Sequence, residues 1–396
     1  MVDLNELSSQ EIGRRLRIAR ENAGVRQEEA ARIVGVSRPT LVSIEQGVRR
    51  VRIQEIQALA RHYGLSVNAL LRREAVHTDL VPRFRRLREA EDAETTEAVQ
   101  LLNDLIKAEV ELENLLGIQK GRNYPPERGI NSGDVVMLAE QHAAELREWL
   151  GIGLGPIADV FSLIDRQLGV RLYQRRLSST SKVAGLFSFD EGIGASILLN
   201  ANHPLPRRIQ SAAHELGHFF GTRQSPEVLE TDERFLSRDE RYANAFGRSF
   251  MAPAESFSES FRRIMEITGK ITARLIILLA DEYHISRQAC CLRLEELGLA
   301  KKGTWGWFEN RGGITDEHAR EVLGESAIVR DPAKTDADRP LSHRMSLMAH
   351  AAWKRDLMSE GQLAELLKIS RLELRGIIDQ IELEERETDD LVELPD

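Results

Sequence analysis

Along most of the chain apolar positions recur every three to four residues, the period of helices packed on one face. After the capping-box pattern Ser8-Ser-Gln-Glu11, the positions Ile12, Leu16 and Ala19 predict a helix that ends at Asn22-Ala-Gly24. Further helical stretches follow from Gln27, over 53–63 and 66–71, and within the charge-rich 74–132, where Leu101, Leu102, Leu105, Ile106 and Val110 form a stripe. Others cover 134–150, 157–168, 210–220, the stretch from Asp239 to a stop at Met251-Ala-Pro253, 256–300 and 342–381. The period changes in one region. Val170–Tyr173, Ala184–Phe189 and Ala195–Leu199 are short apolar runs bounded by Gly, Asp or Asn and predict a small antiparallel sheet. Ala184-Gly-Leu-Phe187 is the candidate edge strand of this sheet, although a glycine within a strand more often marks a bulge. The fold class expected is mainly α with a small antiparallel sheet, α+β.

Breaks in this pattern divide the chain into 8–73, a helical linker or dimer surface at 74–132, a body at 133–300, a helical module at 301–381 and an acidic tail at 382–396. Gly121–Pro126 and Ile130–Gly133 interrupt the linker, and 301–335 reads as loop. With 396 residues, 42% apolar and 30% charged, the composition is that of a soluble globular protein. No apolar run approaches the length of a membrane span and no basic, then apolar, segment opens the chain, so no membrane partner and a cytoplasmic location are expected. The two cysteines, Cys290 and Cys291, are adjacent and cannot form a cross-linking framework; they read as helix packing in a reducing compartment. A net charge of −9 excludes a uniformly basic nucleic-acid binder. It conceals an asymmetry, because residues 10–73 hold thirteen arginines against six glutamates, a balance of +7. A basic N-terminal module on an acidic body predicts one face for phosphates.

That module carries a helix-turn-helix signature. Between Gln27 and Gly47, Ala31 is small where two helices cross, Gly35 can take positive φ at the turn, Val36 and Ile44 fill the shared core, and Ser37 caps the second helix. Pro39 fits the first helical turn. The second helix would enter the major groove and present Arg38, Thr40 and Ser43 to base edges, with Arg38 suited to guanine. Gln27, Arg49, Arg50 and Arg52 are placed for phosphates, which position the protein without specifying a sequence. Two later segments echo the motif: Ile285–Gly298 looks like another helix-turn-helix half, and Leu363–Ser370 repeats the pattern of Glu29–Val34, there read as a packing or partner module.

The stretch richest in chemistry is Gln210-Ser-Ala-Ala-His214-Glu215-Leu-Gly-His218-Phe-Phe220. On a helix, His214 and His218 lie one above the other and can reach one ion. Glu215, offset by about 100°, falls beside that ion, where a general base for an activated water must sit. A catalytic zinc takes three protein ligands and keeps one open position. Glu240, near the start of the next helix, is the third ligand expected, with Glu230, Asp232, Glu233 and Asp239 as rival carboxylates. Asn244, one turn beyond Glu240, could accept a hydrogen bond from the free ring N–H of a ligating histidine.

On His214-Glu-Leu-Gly-His218 with Ala212-Ala213, Glu240-x-x-Ala243-Asn244-x-Phe246, and Met251-Ala-Pro253, the stretch 135–300 resembles the ImmA/IrrE family of metallopeptidases. It departs from the family pattern at Gly247, usually alanine, and at Phe250, commonly leucine; neither is a proposed ligand. Residues 8–73 resemble an XRE-type repressor domain. The two resemblances imply a regulator that binds a double-stranded DNA operator as a homodimer. They also imply a metallopeptidase domain using zinc, with manganese as the alternative metal, to cleave a repressor protein or the chain itself in a stress response. Two other readings stay open: a domain that senses a ligand or metal without hydrolysis, and an autorepressor in a toxin–antitoxin circuit.

Overall fold

The computed structural model describes residues 9–63, 93–223, 227–230, 237–324 and 339–389. The chain divides into two compact units, Met1–His77 with Glu113–Ile118 and Thr78–Leu112 with Gln119–Asp396.

The first unit contains α1 (Ser9–Asn22), α2 (Gln27–Ile33), α3 (Arg38–Glu45) and α4 (Ile53–His62). Their apolar faces close on one core in which Leu16, Ala30, Leu41, Ile44, Ile56 and Leu59 are fully buried. Gly35 takes φ +68° between α2 and α3, and the Ser37 hydroxyl accepts from the Thr40 N–H. The expected helices at 66–71, most of the early linker and the acidic tail beyond 389 lie outside the described residues.

α5 (Ala93–Leu116) belongs to the larger unit as far as Leu112; its predicted stripe is buried at Leu102, Leu105 and Ile106. Glu109 on α5 is buried and accepts from the Tyr173 hydroxyl at 2.7 Å, so this helix is docked on the body rather than spanning solvent. Residues 119–132 contain no helix, in keeping with the Gly and Pro breaks there. α6 (Val135–Leu150) is capped by Asp134 and ends at Gly151 in the left-handed region. α7 (Val160–Ser162) runs directly into a π turn, Leu163–Leu168.

Four strands follow: β1 (Arg171–Arg175), β2 (Val183–Asp190), β3 (Gly194–Asn200) and β4 (Glu227–Glu230). Their order is β1-β3-β2-β4, with β1 parallel to β3 and the other pairs antiparallel. The sheet is therefore mixed, not purely antiparallel. Residues 176–182 carry the chain past β3 to start β2, so the β2–β3 hairpin inserts between β1 and β4. β4, which the pattern of apolar runs did not predict, covers β2 through the register Gly185↔Leu229, Leu186↔Val228 and Phe187↔Glu227. Ala184–Phe187 is thus an interior strand and not the sheet edge. The irregularity expected of its glycine is present, as a register shift between Val183 and Gly185.

α8 (Leu205–Gly221), α9 (Arg238–Met251), α10 (Ala254–Thr268), α11 (Ala273–Glu282) and α12 (Arg287–Glu296) build the body around the sheet. One core holds Phe187, Ile197, Leu216, Phe219, Phe246, Phe250 and Cys290. Both cysteines are buried and unbridged. Within 301–335, read from sequence as loop, α13 (Thr304–Glu309) and α14 (Asp316–Leu323) form; a capping box between Thr315 and His318 starts the second. α15 (His343–Lys354), α16 (Glu360–Leu367) and α17 (Arg371–Asp389) complete the chain. The Arg175 guanidinium donates to the Leu367 and Lys368 carbonyls, tying the end of α16 to β1. Among the described residues no helix is long and apolar enough to cross a membrane.

Candidate metal centre

α8 is buried along nearly its whole length, and its packing against α9 sets the site. At Gly217 an added Cβ would lie 2.8 Å from the Ala243 Cα; at Gly247 it would lie 3.0 Å from the His214 backbone nitrogen. Side chains at these two points would hold the helices apart, so the pair of glycines lets α8 and α9 approach closely. The departure from the family pattern at Gly247 is therefore a contact of this interface. At the start of α9 the Ser237 hydroxyl accepts from the Glu240 N–H at 3.1 Å, which fixes the first turn from which Glu240 projects.

His214 and His218 are 1% and 0% exposed. Their Nε2 atoms are 3.0 Å apart. Glu240 reaches both, Oε2 lying 3.4 Å from His214 Nε2 and Oε1 3.3 Å from His218 Nε2. A tetrahedral ion with nitrogen and oxygen ligands at about 2.0–2.2 Å places neighbouring ligand atoms about 3.3 Å apart. The three side chains, two neutral donors and one anion, therefore fit a divalent cation in both spacing and chemistry. Burial alone would raise the Glu240 carboxyl, but hydrogen bonds and charge from the two histidines outweigh it and hold the group well below the usual carboxylate range. Burial pushes the His218 ring down, towards the neutral form that a ligand must have.

Both rings are held from behind. His214 Nδ1 lies 3.1 Å from Asn244 Oδ1, as the spacing of Glu240 and Asn244 on one helix face predicts. His218 Nδ1 lies 3.1 Å from the Thr222 hydroxyl. Thr222 escaped the sequence reading; its position four residues after His218 was the available signal. Glu215 is 0% exposed and lies against β2, where a Cβ on Gly185 would sit 2.5 Å from Glu215 Oε1. Gly185 thus makes room for the carboxylate. Of the rival carboxylates, Asp239 is absent from the cluster of His214, His218 and Glu240. Asp232 and Glu233 lie outside the described residues, as does the side chain of Glu230.

In the first unit, Arg38 is exposed at the start of α3, with Thr40 and Ser43 half-buried along the same helix. The Ser43 hydroxyl donates to the Pro39 carbonyl and keeps its acceptor capacity. Gln27 is held by Glu45, its Nε2 donating at 3.1 Å, while Glu45 also pairs with Arg20. Arg50 and Arg52 are exposed. Arg49 is paired within the unit: both terminal nitrogens donate to Glu55, at 3.0 and 2.9 Å. The cause is that Glu55 is buried and already accepts from the Arg52 N–H, so it requires a fixed cationic partner.

Family comparison matches residues 11–73 to a helix-turn-helix domain and residues 166–295 to the IrrE N-terminal-like domain. The chain joins these two domains. It is therefore a DNA-binding regulator with a metallopeptidase-like domain. No curated protein matches it. One solved structure that pairs with it is ComR from Streptococcus suis, at 15% identity over 97% of this chain and 96% of that one, with a TM-score of 0.16, too low to relate the two arrangements.

Proposed function

We propose that the chain is a transcriptional regulator carrying a zinc-dependent endopeptidase that cuts a repressor protein or the chain itself in a stress response. The observation that carries this reading is the convergence of His214, His218 and Glu240 within bonding reach of one ion, with buried Glu215 adjacent in the same helix turn. His214, His218 and Glu240 would hold the metal, zinc or manganese. Bound there, the ion would polarise a peptide carbonyl and acidify a water. Glu215 takes the proton of the attacking water and delivers it to the departing amide nitrogen, the work of a general base and then acid. Its burial against Gly185 keeps the carboxylate aimed and limits access of bulk water. Asn244, 3.1 Å from His214 Nδ1, would hold that ring with Nε2 free for the ion.

In the first unit Arg38, Thr40 and Ser43 face base edges of an operator, and Arg50 and Arg52 meet phosphates, with two copies on paired half-sites. The test incubates wild type and Glu215→Gln with zinc, each alone and with a repressor that carries a helix-turn-helix domain of the same type. Cleavage by wild type and none by Glu215→Gln supports the proposal. No cleavage by either, with operator binding intact, replaces it with the ligand- or metal-sensing reading.

A further inference from the structure

Four side chains form a continuous line of polar contacts through the metal centre. The Thr222 hydroxyl lies 3.1 Å from His218 Nδ1, His218 Nε2 lies 3.0 Å from His214 Nε2, and His214 Nδ1 lies 3.1 Å from Asn244 Oδ1. The two ends of this line differ chemically. An amide oxygen can only accept, so Asn244 fixes the proton of His214 on Nδ1 and leaves Nε2 as a lone pair facing the site. A hydroxyl can donate or accept, and its hydrogen rotates to suit.

His218 has two neutral tautomers, and each suits a different condition of the site. With the proton on Nε2, that nitrogen donates to His214 Nε2 or to Glu240 Oε1, and Nδ1 must then accept. With Nε2 given to a metal, the proton must sit on Nδ1, which must then donate. The ring is 0% exposed, so a ring nitrogen left without a partner in either condition incurs the full cost of an unsatisfied buried polar group. Of the side chains around it, the Thr222 hydroxyl contacts Nδ1 and can serve both. Its position is set by the backbone, because the Thr222 N–H donates to the His218 carbonyl at 2.9 Å where α8 ends. Its branched β-carbon further restricts where the oxygen can point.

We propose that Thr222 is a positioning residue for metal capture: its hydroxyl turns from donor to acceptor as the His218 proton moves from Nε2 to Nδ1, while Asn244 holds His214 in one tautomer. The inference rests on the metal-centre reading given above. One proton leaves Nε2 and one arrives at Nδ1, so the ring stays neutral and Glu240 supplies the negative charge that meets the cation. The asymmetry makes His214 the preformed ligand and His218 the one that adapts.

The test uses the full chain and zinc itself. Zinc dissociation constants are measured by competition with a chromophoric chelator for wild type, Thr222→Val, Thr222→Ser and His214→Ala. Thr222→Val, of the same shape without the hydroxyl, should weaken zinc binding by about 10–100-fold, and Thr222→Ser should stay within about threefold of wild type. Two-bond proton–nitrogen spectra of histidine-labelled protein, stripped of metal and then loaded, should show the His218 proton on Nε2 before zinc and on Nδ1 after it. The His214 proton should be on Nδ1 throughout. A Thr222→Val protein that binds zinc as tightly as wild type overturns the proposal, as does a His218 proton already on Nδ1 in stripped protein. If folded wild type takes up no zinc, or His214→Ala holds it equally well, the metal centre itself is misassigned and the role of Thr222 falls with it.

Discussion

Replacing Gly217 with alanine probes whether the close approach of α8 and α9 builds the metal centre. The added methyl would lie 2.8 Å from the Ala243 Cα, 3.2 Å from its Cβ and 3.3 Å from its carbonyl oxygen. Ordinary carbon contacts are about 3.5–4.0 Å, so the helices must separate by about 0.7 Å or more. Two of the atoms met are backbone, which no rotamer change can move aside. Overpacking of this kind costs about 1–3 kcal/mol, and the better helix propensity of alanine returns about 1, leaving a net loss of about 0–2 kcal/mol. At about 2–4 °C per kcal/mol for a domain of this size, the melting temperature should fall by a few degrees. The larger effect is on the ligands. Ala243 lies between Glu240 and Asn244, so a displaced α9 carries both away from His214 and His218, and zinc affinity should drop about tenfold or more. Thermal melts by circular dichroism with chelator and with excess zinc read both quantities, because a ligand at 100 times its dissociation constant adds about 2.7 kcal/mol to the folded state. A variant that melts like wild type and gains as much from zinc would refute the argument from helix contact.

Removing the charge of Glu240 with glutamine should cost more than about 100-fold in zinc affinity, measured by chelator competition, because the anion that offsets the cation is gone while the shape is kept. In the first unit, Arg49→Ala should lower stability by about 1–3 kcal/mol in urea unfolding, since Glu55 loses its fork partner inside the fold. Arg50→Ala should leave the unfolding curve in place and reduce the salt slope of DNA binding by about 1, whereas Arg38→Ala should relax discrimination at one base pair by about 1–3 kcal/mol. His203 is held down at about 4 by burial and by Arg207 and Arg208. Between pH 6.5 and 4 the unfolded chain then binds more protons than the folded one, so stability is lost as pH falls through that window. His203→Gln should flatten this part of the stability curve in urea titrations at successive pH values.

Much of the candidate site was legible from spacing alone. The interval of four puts His214 and His218 on one helix face, and the run of apolar neighbours places that helix inside. Asn244 followed from the same spacing rule applied to Glu240 on the next helix, and the turn chemistry of Gly35 and Ser37 announced the helix-turn-helix. Thr222 was missed because a threonine at a helix end is common and only its contact with a buried ring gives it a role. The Arg49–Glu55 pair was not foreseen, because charge on a basic module says nothing of which arginine a buried glutamate will claim.

The sheet marks the boundary between the two kinds of information. Short apolar runs and the turn residues that bound them predict strands at 170–173, 184–189 and 195–199, since these are local properties of the chain. They do not encode which edges pair, so the parallel β1–β3 pairing and the covering of β2 by β4 appear only once the chain is closed. The same holds for the glycines at 185, 217 and 247, whose meaning is the space taken by an atom from a distant segment. Sequence picked out the candidate ligands and the helices that carry them; tertiary packing decided their separation and what stands behind each ring, because those depend on contacts between residues far apart in the chain.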